Sequence, residues 1–175
     1  MEKILELYVN TEQNAELNGS YGGAWIALPM EPDELDEALE NILRLMDCKD
    51  SEPHWIVEQY RWDDSDLKTY ARIDTDREIC VINRICTDYV ELDDEDRNKC
   101  ICICDQIYNE LGDALNEMGS YEFYDGHTIE SMAEADVENA IISRDFNWLR
   151  DYIDMEAVES NIREDYLEGP YGLLY

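Results

Sequence analysis

Positive charge is scarce in this 175-residue chain: 13 Lys and Arg, four of them lysine, stand against 44 Asp and Glu, with two histidines and a formal net charge of −31 at pH 7. Membrane surfaces and nucleic acids are both anionic, so direct binding to either is excluded, and a basic surface is the natural partner. Long apolar runs are missing too. No stretch of 18 apolar residues occurs, so no transmembrane helix is expected. The first ten residues, MEKILELYVN, lack the basic region, apolar run and small-residue cleavage site of a leader, so the chain reads as mature and cytoplasmic.

Sequence patterns for catalysis are also absent. There is no G-x-S-x-G and no P-loop, and the two histidines, His54 and His127, fall at an expected strand start and in an expected turn. No catalytic residue is assigned, and the chain reads as a non-enzyme. The cysteine-rich KCICICD (99–105) lacks a second pair at zinc spacing. On a helix, Cys100 and Cys104 would face the core with Ile107 while Cys102 points away. The acidic stretches DDSDLKTYARID and DDEDRNKCICIC lack the glycine a calcium loop needs at its sixth position. No metal and no cofactor is expected. The six cysteines (Cys48, Cys80, Cys86, Cys100, Cys102 and Cys104) read as free, mostly buried thiols.

What is present is a folding composition: 45% hydrophobic residues, twelve Tyr and four Trp, unlike a disordered acidic tail. The charge is spread evenly. Residues 1–62 carry 14 acids and 4 bases, residues 63–118 carry 16 and 6, and residues 119–175 carry 14 and 3. One stretch, Gly112 to Ile141, has eight acids and no Lys or Arg, yet holds Leu115, Met118, Tyr121, Phe123, Tyr124, Ile129, Met132, Val137 and Ile141. Self-repulsion on this scale opposes compactness, so the acidic coat needs a use.

The hydrophobic pattern predicts an α+β chain of three small units in an elongated row. The first, 1–62, is a sheet plus a helix: strands at 4–10, 24–28 and 54–60, a loop with Gly19, Gly22 and Gly23, and a helix over 31–46. Pro32 suits that helix's first turn, and Leu35, Ala38, Leu39, Ile42 and Met46 share one face. Gly22 and Gly23 are expected to set the turn before the second strand, and Tyr8, Trp25 and Ile26 to lie in the core. RWDDSD (61–66) reads as a link. The second unit, 63–118, is helical. Thr75 and Glu78 form a capping-box pattern for a helix near 76–87, and Asp93 or Asp94 caps a longer one through Leu111. The third, 119–175, is mixed α/β. It has a strand near 121–124, a turn at Asp125-Gly126, a helix started by Thr128 or Ser131, a helix from Asp154 to about Asp165, and a closing strand in YGLLY.

Duplex DNA carries one charge per ~1.7 Å, so 31 charges at that density span about 53 Å, some 15 base pairs. A compact globule of this length has a radius of gyration of about 16 Å, and three units in a row reach further. The arithmetic permits a rod of DNA-like charge density. A solvated acidic coat of the halophile kind is the blander alternative, and an acidic adaptor or chaperone for another basic DNA-binding protein is the competing function.

The stretch LYVNTEQNAELNGSYGGAWIALPMEPDELDEALENIL (7–43) resembles the N-terminal part of the ArdA-type antirestriction proteins: a Tyr-Val strand, glycines, a Trp-Ile strand, then an acidic helix. GSYEFYDGHTIESMAEADVEN (119–139) and YIDMEAVESNIREDY (152–166) are similar to that family as well, while 61–100 is least alike. The resemblance implies a three-domain, elongated, curved DNA mimic carried by mobile elements and phages. It would act in the cytoplasm of a bacterial host, as a homodimer, in the DNA groove of a type I restriction-modification enzyme, without catalytic residues. On that reading the phosphate stand-ins are Glu31, Asp33, Glu34, Asp36, Glu37 and Glu40, then Asp93, Asp94, Glu95 and Asp96, then Glu130, Glu134, Asp136 and Glu138. Each would pair with a Lys or Arg that normally grips DNA, and phosphate contacts carry no sequence information.

Overall fold

The computed structural model describes residues 2–46, 53–142 and 147–175. The expected α+β class is found: eight α-helices and two three-stranded antiparallel sheets among the described residues. In the first sheet β1 (Leu5–Thr11) lies between β2 (Ala24–Leu28) and β3 (Trp55–Trp62). The period-2 alternation of β1 turns Leu5, Leu7 and Val9 inward, all fully buried, and leaves Glu6 and Tyr8 on the other face. Trp25 shares that outer face and is 42% exposed, contrary to the core expectation, while Ile26 is buried as expected. The Trp25 ring meets Tyr8 edge-on at 5.3 Å, and the Arg61 guanidinium sits 4.7 Å over it, held by Glu6.

Helix α2 (Pro32–Leu45) begins with Pro32, as the sequence suggests, and buries Leu35 and Ile42. A short helix, α1 (Glu12–Asn18), occupies the stretch expected to be loop. Thr11 caps it by accepting from the Asn14 N–H at 3.2 Å. Asn14 then packs where Gly22 leaves room: a Cβ there would lie 1.9 Å from its Nδ2. The expected link is also structured. Arg61 and Trp62 end β3, and Asp64 caps α3 (Ser65–Tyr70) by accepting from two backbone N–H groups at 2.9 Å. Trp62 donates its indole N–H to Ala71 O at 3.1 Å.

Helix α4 (Ile79–Val90) starts three residues later than its capping pattern implies. Asp74 takes the Asp76 N–H in a local turn, and Arg77 is held by carboxylates, so Thr75 caps nothing. Asp93 caps α5 (Asp94–Ile103), but the helix does not run on to Leu111. It widens into a π-turn at Cys104–Tyr108 and stops at Asn109, whose φ is +56°. Glu110 restarts the chain as α6 (Leu111–Glu117), accepting from the Asp113 N–H at 2.8 Å.

Residues Cys100 to Cys104 are all buried. Cys102 therefore does not point away. Cys102 meets the C-terminal turn, where a Cβ on Gly169 would lie 2.7 Å from its sulfur. A helix segment apolar on every side is covered on every side. Of the other thiols, Cys86 is buried and Cys80 exposed, while Cys48 lies outside the described residues.

The second sheet orders β4 (Phe123–Asp125), β6 (Gly172–Leu174) and β5 (Leu167–Glu168). Thr128 and Ser131 cap each other's N–H groups ahead of α7 (Ile129–Ile142), so the earlier of the two possible starts is used. Asp154 caps α8 (Met155–Asp165) as expected. Among the described residues, hydrophobic packing forms two clusters. The larger joins the first sheet, α2, α4, α5 and α6; the smaller holds Ile129, Ala133, Ile162 and Leu173. Strand β6 belongs to both, with Leu174 in the larger and Leu173 in the smaller.

Candidate functional site

The fourteen candidate acids occupy the leading ends of two helices and the length of a third. Glu31 is the residue before α2, and Asp33, Glu34, Asp36, Glu37 and Glu40 follow on it. Asp93 caps α5, with Asp94, Glu95 and Asp96 in its first turn. Glu130, Glu134, Asp136 and Glu138 lie along α7. All fourteen are exposed. The apolar stripes explain this: Leu35 and Ile42 orient α2, and Ile129 and Ala133 orient α7, so the intervening acids face water. Acids near a helix N-terminus also gain from the helix dipole, about 0.3–1 kcal/mol each at low salt.

Few of these acids are neutralised. Among the described residues only Glu40, with Arg44 at 3.0 Å, and Glu138, with Arg150 at 3.1 Å, form ion pairs, and both pairs are more than half exposed. Several of the other described bases tie the chain to itself. Arg77 bridges Glu110 and Asp113, each at 3.0 Å, and Asp74 at 3.3 Å. Burial lowers the affinity of its guanidinium for the proton, but Asp113, Glu110 and Asp74 outweigh it and hold the pKa above its ordinary value. Arg97 donates to Val90 O at 2.5 Å and lies over the Tyr89 ring. Arg163 meets Glu159 at 3.6 Å and Glu168 at 3.7 Å. No carboxylate residue is buried among those described.

Asp88 and Glu91, at the end of α4, extend the acidic run into Asp93–Asp96 and are exposed as well. The run of acids in DYVELDDED makes both legible in the sequence. The buried thiols Cys86 and Cys100 offer no alternative chemistry. Burial pushes Cys86 up to about 12, and the hydrogen bond with Cys104, then burial, raises Cys100 far above the thiol range. Thiols held protonated are poor nucleophiles and poor metal ligands. Among the described residues no group of three or more His, Cys, Asp or Glu is placed to hold a metal ion. No helix is long and apolar enough to cross a membrane among them.

The arrangement is a set of mostly uncompensated carboxylates carried on three helices, suited to meeting a basic surface. No curated protein sequence matches the chain. A family match covers residues 15–172, nearly the whole sequence, under the description antirestriction protein (ArdA). An acidic, base-poor surface on an α+β frame and a match of that extent agree: the chain belongs to the ArdA family of antirestriction proteins.

Proposed function

We propose that this antirestriction protein works without catalysis, as a DNA mimic that occupies the DNA-binding groove of a type I restriction-modification enzyme. The observation that carries the reading is that twelve of the fourteen exposed candidate acids have no ion-pair partner among the described residues. Those carboxylates stand in for backbone phosphates toward the Lys and Arg side chains of the groove. Such contacts ignore base sequence, so one inhibitor serves against enzymes of different recognition sites. The working form is a homodimer, which doubles the length of charge presented.

The test is titration of the protein into a purified type I restriction-modification enzyme bound to labelled DNA, at two salt concentrations. Displacement near stoichiometric protein, weaker at the higher salt, is the expected result. No displacement by folded protein rejects the reading. Binding to unrelated basic DNA-binding proteins with equal strength would point instead to an acidic adaptor or chaperone.

A further inference from the structure

Asn83 lies in α4 and is buried, with 6% of its surface exposed. Its side chain reaches 53 residues back along the chain. Its Oδ1 accepts from the Met30 N–H at 2.7 Å and its Nδ2 donates to the Met30 carbonyl at 2.8 Å. Both backbone groups of Met30 are thus matched by one amide, as a neighbouring strand would match them. On the preceding residue, Lys3 donates to the Pro29 carbonyl. Met30 directly precedes Glu31, the start of the acidic helix α2. The residue that leads into that helix is therefore gripped by a buried side chain on α4, and α4 leads through a three-residue turn into α5, the second acidic helix.

We infer that Asn83 is a positioning residue that fixes the acids of α2 relative to those of α5, so that both meet one basic surface together. The inference rests on the mimic reading above. Charge count alone would survive loss of this clasp; charge placement would not. A bidentate amide is suited to the task because it constrains direction as well as distance. Asn83 touches no partner itself, and its effect passes wholly through the α2 carboxylates.

The test is a double-mutant cycle on the full chain, read as displacement of labelled DNA from the type I enzyme over a series of salt concentrations. One background is the natural sequence. The other carries Asp33→Asn, Glu34→Gln, Asp36→Asn and Glu37→Gln. Neutralising α2 is expected to weaken displacement about tenfold and to make its salt dependence shallower, since each exposed pair contributes little and the four act together. Asn83→Ala in the natural background should weaken displacement severalfold and flatten the salt dependence likewise. In the neutralised background it should add nothing. An equal loss in both backgrounds, with the salt dependence unchanged, would mean a merely structural residue and overturn the inference. If neutralising α2 has no effect, α2 takes no part in mimicry, and the mimic reading of that helix fails together with the role of Asn83. Should Asn83→Ala not fold by circular dichroism, Asn83→Ser replaces it, because its hydroxyl is too short to bridge both groups of Met30.

Discussion

Gly23 stands where β2 leaves its loop, and a Cβ built on it would lie 2.6 Å from the Val9 carbonyl and 2.7 Å from the Tyr8 ring. Val9 is in the central strand and cannot yield without moving both partners. Gly23→Ala is therefore expected to destabilise the protein by about 1–3 kcal/mol, as overpacking does. Gly119 has nothing within 4 Å of a Cβ, so Gly119→Ala should change stability by less than about 0.5 kcal/mol. Urea denaturation of the two variants checks the contrast. A second test at this scale concerns Tyr171, whose hydroxyl donates to Asp66 and whose pKa that bond raises from 10.0 to about 12. The folded value lies above the unfolded one. Its stabilising effect is thus complete below pH 10 and lost as pH climbs toward 12. Tyr171→Phe should lower stability at pH 8 and show a shallower alkaline decline than the natural protein, measured by denaturation at pH 8, 10 and 11. Neither role is written in the sequence. Gly23 could be read as a turn glycine but not as a close-approach site, and nothing local pairs Tyr171 with a residue 105 positions away.

Elements are where the caps and the charges overlap. Asp93 accepts from the Asp96 N–H at 2.9 Å and also belongs to the proposed mimic surface. Asp93→Ala removes both and is expected to cost about 1 kcal/mol of stability. Asp93→Ser keeps an N-cap oxygen and should restore most of that stability while leaving one charge missing. If the residue matters to the partner through charge, the two variants should displace DNA equally despite differing in thermal midpoint. The caps also explain what was legible. Pro32, Asp93, Thr128 and Asp154 act locally, and the helices they start lie where sequence pattern places them. Strands β1 and β2 show their alternation openly. The differences between sequence pattern and structure are of two kinds. Thr11 and Asp64 carry cap chemistry that is readable in the sequence, but the glycines and polar residues nearby suggest loop instead. The idle cap at Thr75 and the burial of Cys102 depend on distant partners: Arg77 drawn to Glu110 and Asp113, and the C-terminal turn seated on α5. The candidate acids were separable from the core stripes by helical period alone, yet period says nothing of which acids share a face with those of another helix.

At the scale of the whole molecule, salt acts on two quantities in opposite directions. The fold holds a net charge of −31, and its self-repulsion reaches about 30 Å at 0.01 M salt but only about 8 Å at 0.15 M. Raising salt across that range should raise the thermal midpoint. The hydrophobic clusters that oppose the repulsion are little affected by such concentrations, so the change reports the charge itself. The same screening weakens attraction to a basic groove, so DNA displacement should need more protein at 0.15 M than at 0.01 M. An acidic coat that serves solvation alone predicts the first trend without the second. The variant with Asp33, Glu34, Asp36 and Glu37 neutralised gives the internal check: its midpoint should rise less with salt, and its displacement should fall less. Were the midpoint to fall as salt is raised, repulsion could not be the force the fold works against. The carboxylates would then have to be engaged in favourable contacts within the chain, leaving them unfit to replace phosphates.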